Sequence, residues 1–233
     1  MPSPVCAITG VGPGNGAAFT RCFSHAGYRV AMLARSEDRL RDLETAIPNS
    51  KGYAVDVADA GSVRAGFARI RAELGPVEVL LYNAGSGAFG DFQHTSADLF
   101  EYAWRVNALG LLLCSQAVVP DMLAAGHGAI VVTGATASLR GGANFAAFAP
   151  AKAAQRSLAQ SMSRNLGPLG IHVALAVVDG VIDIPNTRGM FPNQPDDFYL
   201  KPDDIAASVL HLAQQPRSAW TFELDLRPFG EKW

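Results

Sequence analysis

The stretch Thr9-Gly10-Val11-Gly12-Pro13-Gly14-Asn15-Gly16 limits this chain more than any other. Before it lies the apolar run Val5-Cys6-Ala7-Ile8, and after it the helix-like run Ala17-Ala18-Phe19-Thr20-Arg21-Cys22-Phe23. A strand, a glycine-rich turn and a helix in that order form a cradle for a nucleotide phosphate. Glycines allow backbone N–H groups to approach a pyrophosphate, and the helix N-terminus adds partial positive charge.

The rest of the chain repeats the alternation. Strands are expected at Pro4–Gly10, Tyr28–Ala34, Gly52–Asp56, Val77–Asn83, Gly128–Gly134, Ile171–Val178 and Phe222–Leu226. Helices are expected at Gly14–Ala26, Glu37–Ala46, Ser62–Leu74, Ala97–Ala125, Phe148–Leu166 and Pro202–Gln214. Strand runs such as Val77-Glu78-Val79-Leu80-Leu81 are nearly continuously apolar, as in parallel strands covered on both faces. The expected fold is therefore α/β: one Rossmann-type, doubly wound, mainly parallel seven-stranded sheet with helices on both faces. With 49% hydrophobic residues over 233 positions, and no linker or repeat, a single domain over 1–233 is expected. The segment Asp183–Tyr199, rich in Pro, Asn, Asp and Gly, reads as a mobile loop or lid.

Composition excludes several functions. A net charge of −2 without a dense basic block argues against a nucleic-acid surface. Cys6, Cys22 and Cys114 have no paired or metal-ligand spacing, and neither do His25, His94, His127, His172 and His211, so no metal is expected. The histidines read as surface or helix-end residues, and Trp104, Trp220 and Trp233 as packing or interface residues. Met1-Pro2-Ser3-Pro4 has no basic region or long apolar run, and stretches such as Ala108 to Leu113 are too short to span a membrane. A soluble cytoplasmic protein is expected. No G-x-S-x-G elbow is present, which removes the common hydrolase reading.

Ligands of doubly wound sheets bind beyond the carboxyl ends of the strands. That rule gathers Gly10–Gly16, Arg35, Asp56, Asn83–Gly85, Gly134–Ser138 and Asp179–Ile184 into one crevice.

The turn Thr9–Gly16 matches T-G-x-x-x-G-x-G, and from there the chain resembles the short-chain dehydrogenases/reductases along nearly its whole length. Asp56-Val57 resembles the family's adenine-contacting pair, Asn83-Ala84-Gly85 its N-N-A-G segment, and Asn107 its helix asparagine. The resemblance implies that Gly10, Gly14, Asn15 and Gly16 hold a nicotinamide dinucleotide. Arg35 and Ser36 stand at the end of the second strand, where an arginine meets a 2′-phosphate and favours NADP over NAD. Against this, Ser36 also suits a helix cap, Glu37 and Asp38 would serve NAD, and Pro13 stands where NADP-preferring members often carry a basic residue.

The family's proton donor is a tyrosine four residues before a lysine, with a serine about 13 residues earlier. Here Lys152 is kept, but the tyrosine position is Phe148 and the serine position Ala135, with Thr136 and Ser138 nearby. Lys152 and Asn107 remain as the polar members of the catalytic set. Tyr82 is expected on the cofactor side, Tyr28, Tyr53 and Tyr102 in the core or on a helix surface, and Tyr199 in the lid is the one tyrosine able to swing in. After the sixth strand, Asp179 and Ile184 stand for the proline and threonine of P-G-x-x-x-T, and Ile182 is placed to meet the carboxamide through its backbone. Asp179 reads as a turn or capping residue, or as an acid if desolvated. The two long helices Ala97–Ala125 and Phe148–Leu166 resemble those that pair family members into homodimers and homotetramers. The expected partner is otherwise a small-molecule substrate.

Overall fold

The computed structural model describes residues 3–231, so Trp233 lies outside the described residues. In chain order the major elements are β1 Val5–Thr9, α1 Asn15–His25, β2 Arg29–Ala34, α2 Glu37–Ala46, β3 Ser50–Ala54, α3 Ala60–Glu73, β4 Val77–Tyr82, α4 Ala97–Trp104, α5 Gly110–Ala125, β5 Gly128–Ala135, α6 Phe148–Leu166, β6 Ile171–Val178, β7 Val181–Ile182, α7 Pro185–Met190, β8 Tyr199–Leu200, α8 Pro202–Ala213 and β9 Glu223–Leu226.

Seven strands form one parallel sheet in the order β3-β2-β1-β4-β5-β6-β9. The order reverses between β1 and β4, and that switch point opens a crevice beyond their carboxyl ends. Every residue of β1 and of β6 is buried, which is why their sequences run apolar without alternation. One core cluster joins the sheet to Phe67 of α3, Leu111 and Val118 of α5, and Met162 of α6. The other joins its opposite face to Phe19 and Phe23 of α1, Leu40 of α2, and Val209 of α8. Three layers result, as expected.

Helix starts follow local chemistry. Ser36, Asp59 and Ser96 each accept a hydrogen bond from a backbone N–H in the first turn of α2, α3 and α4. Gly126, at φ 69°, ends α5 in the left-handed conformation.

Four expectations need correction. β3 starts at Ser50, two residues early, because it is an edge strand whose polar Ser50 and Lys51 pair with Val30 and Ala31 of β2. The segment expected as a loop or lid contains regular structure, with α7 inside it and β7 paired with β8. His172 is buried in β6, stacked on Trp220 with ring centroids 4.9 Å apart. The continuous helical run Ala97–Ala125 contains an 18-residue window of mean hydropathy 1.6 and is long and apolar enough to cross a membrane. In the fold its residues Leu111, Cys114, Val118 and Met122 are buried in the core cluster beneath the sheet. Between α4 and α5 that run contains one π-helical turn, Arg105–Leu109.

Candidate active site

The switch point is stitched by short-range polar bonds. Thr9 Oγ1 accepts from the backbone N–H of Asn83 and of Ala84 at 3.1 and 3.2 Å. Asn83 Nδ2 donates to the Gly10 carbonyl at 2.9 Å. Asn83 therefore shapes the crevice by joining the ends of β1 and β4. Glycine is required where backbones crowd. A Cβ on Gly10 would lie 2.5 Å from Ala84 Cα, and one on Gly16 2.6 Å from Val11 Cα. A Cβ on Gly14 would meet the Ile184 side chain at 2.6 Å. Asn15, the first residue of α1, is buried, and its Oδ1 has no hydrogen-bond partner. The first-turn N–H groups of a helix have no partner within it, so this cradle suits an anion.

The cleft holds about 340 Å³ and is lined by Gly10–Gly12, Arg35, Ser36, Arg39, Asp56, Val57, Ala84, Gly85 and Tyr102, among others. Sequence reading missed Arg39 and placed Tyr102 elsewhere. Arg35 donates to Tyr102 Oη at 2.9 Å, across from β2 to α4. Ser36 caps α2 by accepting from the Arg39 N–H at 3.4 Å. Arg39 had a sequence signal, since it lies in the first turn of the helix that follows β2. Of the acidic neighbours, Asp38 is paired with Arg41. Asp56 Oδ1 accepts from the Ala58 N–H at 2.9 Å, which fixes the turn after β3.

Lys152 sits on the inner face of α6 and is only 5% exposed. Its Nζ donates to the Thr133 carbonyl at 2.9 Å and to Gln155 Oε1 at 3.0 Å. Burial lowers its pKa from 10.5 to about 8, because the charged form loses hydration. Asn107 lies fully buried in the π turn, donating to Ser86 Oγ at 3.1 Å and to the Ala103 carbonyl at 2.9 Å. Its Oδ1 has no hydrogen-bond partner. Gln155 and Ser86 carried no motif signal.

Phe148 opens α6, and its ring packs against Phe89 and Phe145 at centroid distances of 5.3 and 5.9 Å. Two backbone bonds between Gly90 and the Asn144–Ala146 stretch, at 2.8 and 3.2 Å, hold those loops together. Ala135 ends β5 in extended conformation. Of the hydroxyls beside it, Thr136 donates to Asp179, and Ser138 to the Ala135 carbonyl at 2.7 Å. Asp179 is thus held by the Thr136 hydroxyl and lies 3.7 Å from Arg227.

Two tyrosines differ from expectation. Tyr82 is fully buried rather than exposed to the cleft, and its hydroxyl donates to the Val106 carbonyl. Tyr199 is held in place. It is 4% exposed, donates to the Phe191 carbonyl at 2.6 Å, and carries the Arg188 guanidinium 4.0 Å above its ring. Arg188 also binds Asp183 at 2.6 Å and Asp196 at 2.7 Å, while Lys201 binds Asp183 at 2.6 Å. Those two cations hold the Asp183 carboxyl well below the usual carboxylate range. The Ile182 carbonyl accepts from Thr187 Oγ1, whose hydroxyl stands one helical turn after Ile184. Among the described residues no group of three His, Cys, Asp or Glu is placed to hold a metal.

The buried Lys152 makes stability pH-dependent in a defined direction. Between pH 8 and 10.5 the unfolded lysine keeps a proton that the folded one has lost, so stability rises with pH. Relative to Lys152→Met, the wild type should gain about 3 kcal/mol across that window, at about 1.4 kcal/mol per unit. Chemical denaturation of both proteins over pH 7–11 checks this, and a pH-independent difference contradicts it.

The comparisons agree with this architecture. The family model described as short chain dehydrogenase matches residues 4–194. The 2-(R)-hydroxypropyl-CoM dehydrogenase of Xanthobacter autotrophicus is 34% identical over 196 residues, 80% of this chain and 77% of that protein. The D-xylose 1-dehydrogenase of Caulobacter vibrioides is 30% identical over 230 residues, 92% of this chain and 90% of that protein. The alcohol dehydrogenase of Thermococcus sibiricus, solved with 5-hydroxy-NADP, superposes with a TM-score of 0.86 at 27% identity, covering 99% of this chain and 98% of that one. With its glycine turn at the switch point and its buried lysine on α6, the chain belongs to the short-chain dehydrogenase family, and to that family's oxidoreductases by its relatives.

Proposed function

We propose that the protein is an oxidoreductase that binds NADP in preference to NAD and acts on a small alcohol or carbonyl compound, without the family's usual tyrosine and serine. The observation that carries the cofactor preference is that Arg35, Ser36 and Arg39 line the same cleft as Gly10–Gly12. Two guanidinium groups and a hydroxyl there match a 2′-phosphate, which accepts charge-assisted hydrogen bonds. Gly10, Gly14, Asn15 and Gly16 would hold the pyrophosphate, Asp56 and Val57 the adenine, and Ala84 and Gly85 the wall behind the ribose. Lys152 would bind the ribose hydroxyls of the nicotinamide half, and Ile182 the carboxamide through its backbone. The bound dinucleotide supplies the hydride.

The chain's own residues must then settle the proton. Phe148 has no ionisable proton and Ala135 no hydroxyl, while Thr136 and Ser138 are occupied with Asp179 and the Ala135 carbonyl. The proton therefore comes from water, from Lys152 or from the substrate itself. The packed aromatic group of Phe148, Phe89 and Phe145 favours a second reading, a dinucleotide-binding protein whose turnover is impaired and which serves redox sensing or scaffolding. Assembly into homodimers or homotetramers through α5 and α6, in the cytoplasm, belongs to either reading.

Titration with NADPH and NADH, followed by quenching of protein fluorescence, tests the cofactor. Saturable binding of neither would end both readings. Arg35→Ala and Arg39→Ala are each expected to weaken NADPH on the order of 10- to 100-fold, the value of a charge-assisted hydrogen bond at about 1.5–3 kcal/mol, and to leave NADH nearly unchanged. Equal losses for both nucleotides would assign the arginines to the fold instead of the phosphate.

A further inference from the structure

Gln155 belongs to no motif, yet it is fully buried with both ends of its amide occupied. It follows Lys152 by three positions and so shares a face of α6. Oε1 accepts from Lys152 Nζ at 3.0 Å, and Nε2 donates to the Asn107 backbone carbonyl at 3.1 Å. Asn107 lies in the π turn Arg105–Leu109, where the regular helical bonding shifts and backbone carbonyls become available to side chains. With the Thr133 carbonyl at 2.9 Å, two of the three ammonium protons are fixed. The third is left for the side of the cleft formed by Gly85. A Cβ on Gly85 would sit 3.8 Å from Lys152 Nζ and 3.5 Å from the unpartnered Asn107 Oδ1. A leucine would fill the same volume without burying an amide, so packing alone does not explain a glutamine here.

We infer that Gln155 is the positioning residue of Lys152: it bridges the ammonium to the π turn and so aims the remaining N–H at the Gly85 corner, where a dinucleotide ribose would meet it. The last clause rests on the proposed dinucleotide reading, whereas the bridge itself does not.

Ionisable groups on the elements packed against α6 are Asp98, Glu101 and Tyr102 of α4, Arg105 of the π turn and His172 of β6. Glu101 is paired with Arg105, Tyr102 with Arg35, and His172 with the Thr221 carbonyl, and on α6 itself Arg156 is paired with Glu223. The depression of Lys152 comes from burial, not from these charges.

Two measurements test the bridge. In a thermal double-mutant cycle at pH 7, the Tm loss caused by Gln155→Leu should shrink at least roughly twofold in a Lys152→Met background, because residues in one network couple. Additive losses would overturn the inference. That cycle needs no nucleotide, so it decides the bridge even if the wild type binds neither NADPH nor NADH and the proposed function fails. In the second, NADPH affinity is followed from pH 6 to 10. Gln155→Leu removes an acceptor of the charged form and should move the pH midpoint of the affinity loss down by about one unit, while Gln155→Glu should move it up. A glutamine that only packs would leave the midpoint unmoved in Gln155→Leu, and that result would overturn the inference.

Discussion

Gly10→Ala is expected to lower the stability of the whole molecule by about 2–5 kcal/mol. Gly10 has φ +67°, a left-handed conformation that costs an L-residue about 1–2 kcal/mol. The added Cβ would lie 2.5 Å from Ala84 Cα and 2.7 Å from Ala84 N, which are backbone atoms and cannot rotate away. Forcing a methyl into a filled site costs about 1–3 kcal/mol more. Ala84 cannot retreat cheaply, because Thr9 Oγ1 and the Asn83 amide tie the ends of β1 and β4 together. For a chain of this length each kcal/mol corresponds to about 2–4 °C, so Tm should fall by roughly 4–20 °C. Gly12→Ala is the control, since a Cβ there meets nothing within 4 Å. Equal Tm values for the two variants would contradict the account of the switch point. Nucleotide binding should fail in Gly10→Ala wherever the strands have parted.

The same contrast explains what was legible in the sequence. A strand covered on both faces must be apolar throughout, so β1, β4, β5 and β6 announce themselves, and the glycines that follow β1 mark the switch point directly. β3 has a weaker signal because an edge strand meets solvent, which displaced its start to Ser50. β7 and β8 have two residues each, and no periodicity exists at that length. Tyr82, Tyr102 and Tyr199 could not be sorted by sequence, because their hydroxyls are directed by distant partners: the Val106 carbonyl, Arg35 and the Phe191 carbonyl. Asp179 reads as a turn or capping residue or an acid for the same reason, as its partners Thr136 and Arg227 are distant in sequence. Gln155 was readable in part. Its i, i+3 spacing from Lys152 is plain, but the π turn that supplies its second partner has no composition of its own. The apolar run Ala97–Ala125 shows the limit of composition, since a helix pressed on a sheet and a helix in a bilayer need similar residues.

Phe148→Tyr combined with Ala135→Ser is expected to raise carbonyl turnover by about 10²–10⁴, the usual value of positioned general acid–base help. The phenol would stand one helical turn before Lys152, whose nearby cation lowers an ordinary phenol pKa of about 10 toward the working pH. The exchange is sterically mild. Phe148 keeps the same ring contacts with Phe89 and Phe145, and Ala135 sits in extended backbone that serine adopts readily. Phe148→Tyr should account for most of the gain, because it supplies the proton, whereas the serine only helps hold the substrate oxygen. Adding Lys152→Met should abolish the gain by raising the phenol pKa and weakening the ribose contact. Steady-state rates with NADPH over a carbonyl panel check each step, with nucleotide affinity measured on every variant to separate binding from chemistry. Substantial turnover by the unaltered protein, unimproved by the double substitution, would show that the proton arrives by another route. A gain seen only in the double variant would instead support the second reading, a binder whose hydride is normally unused.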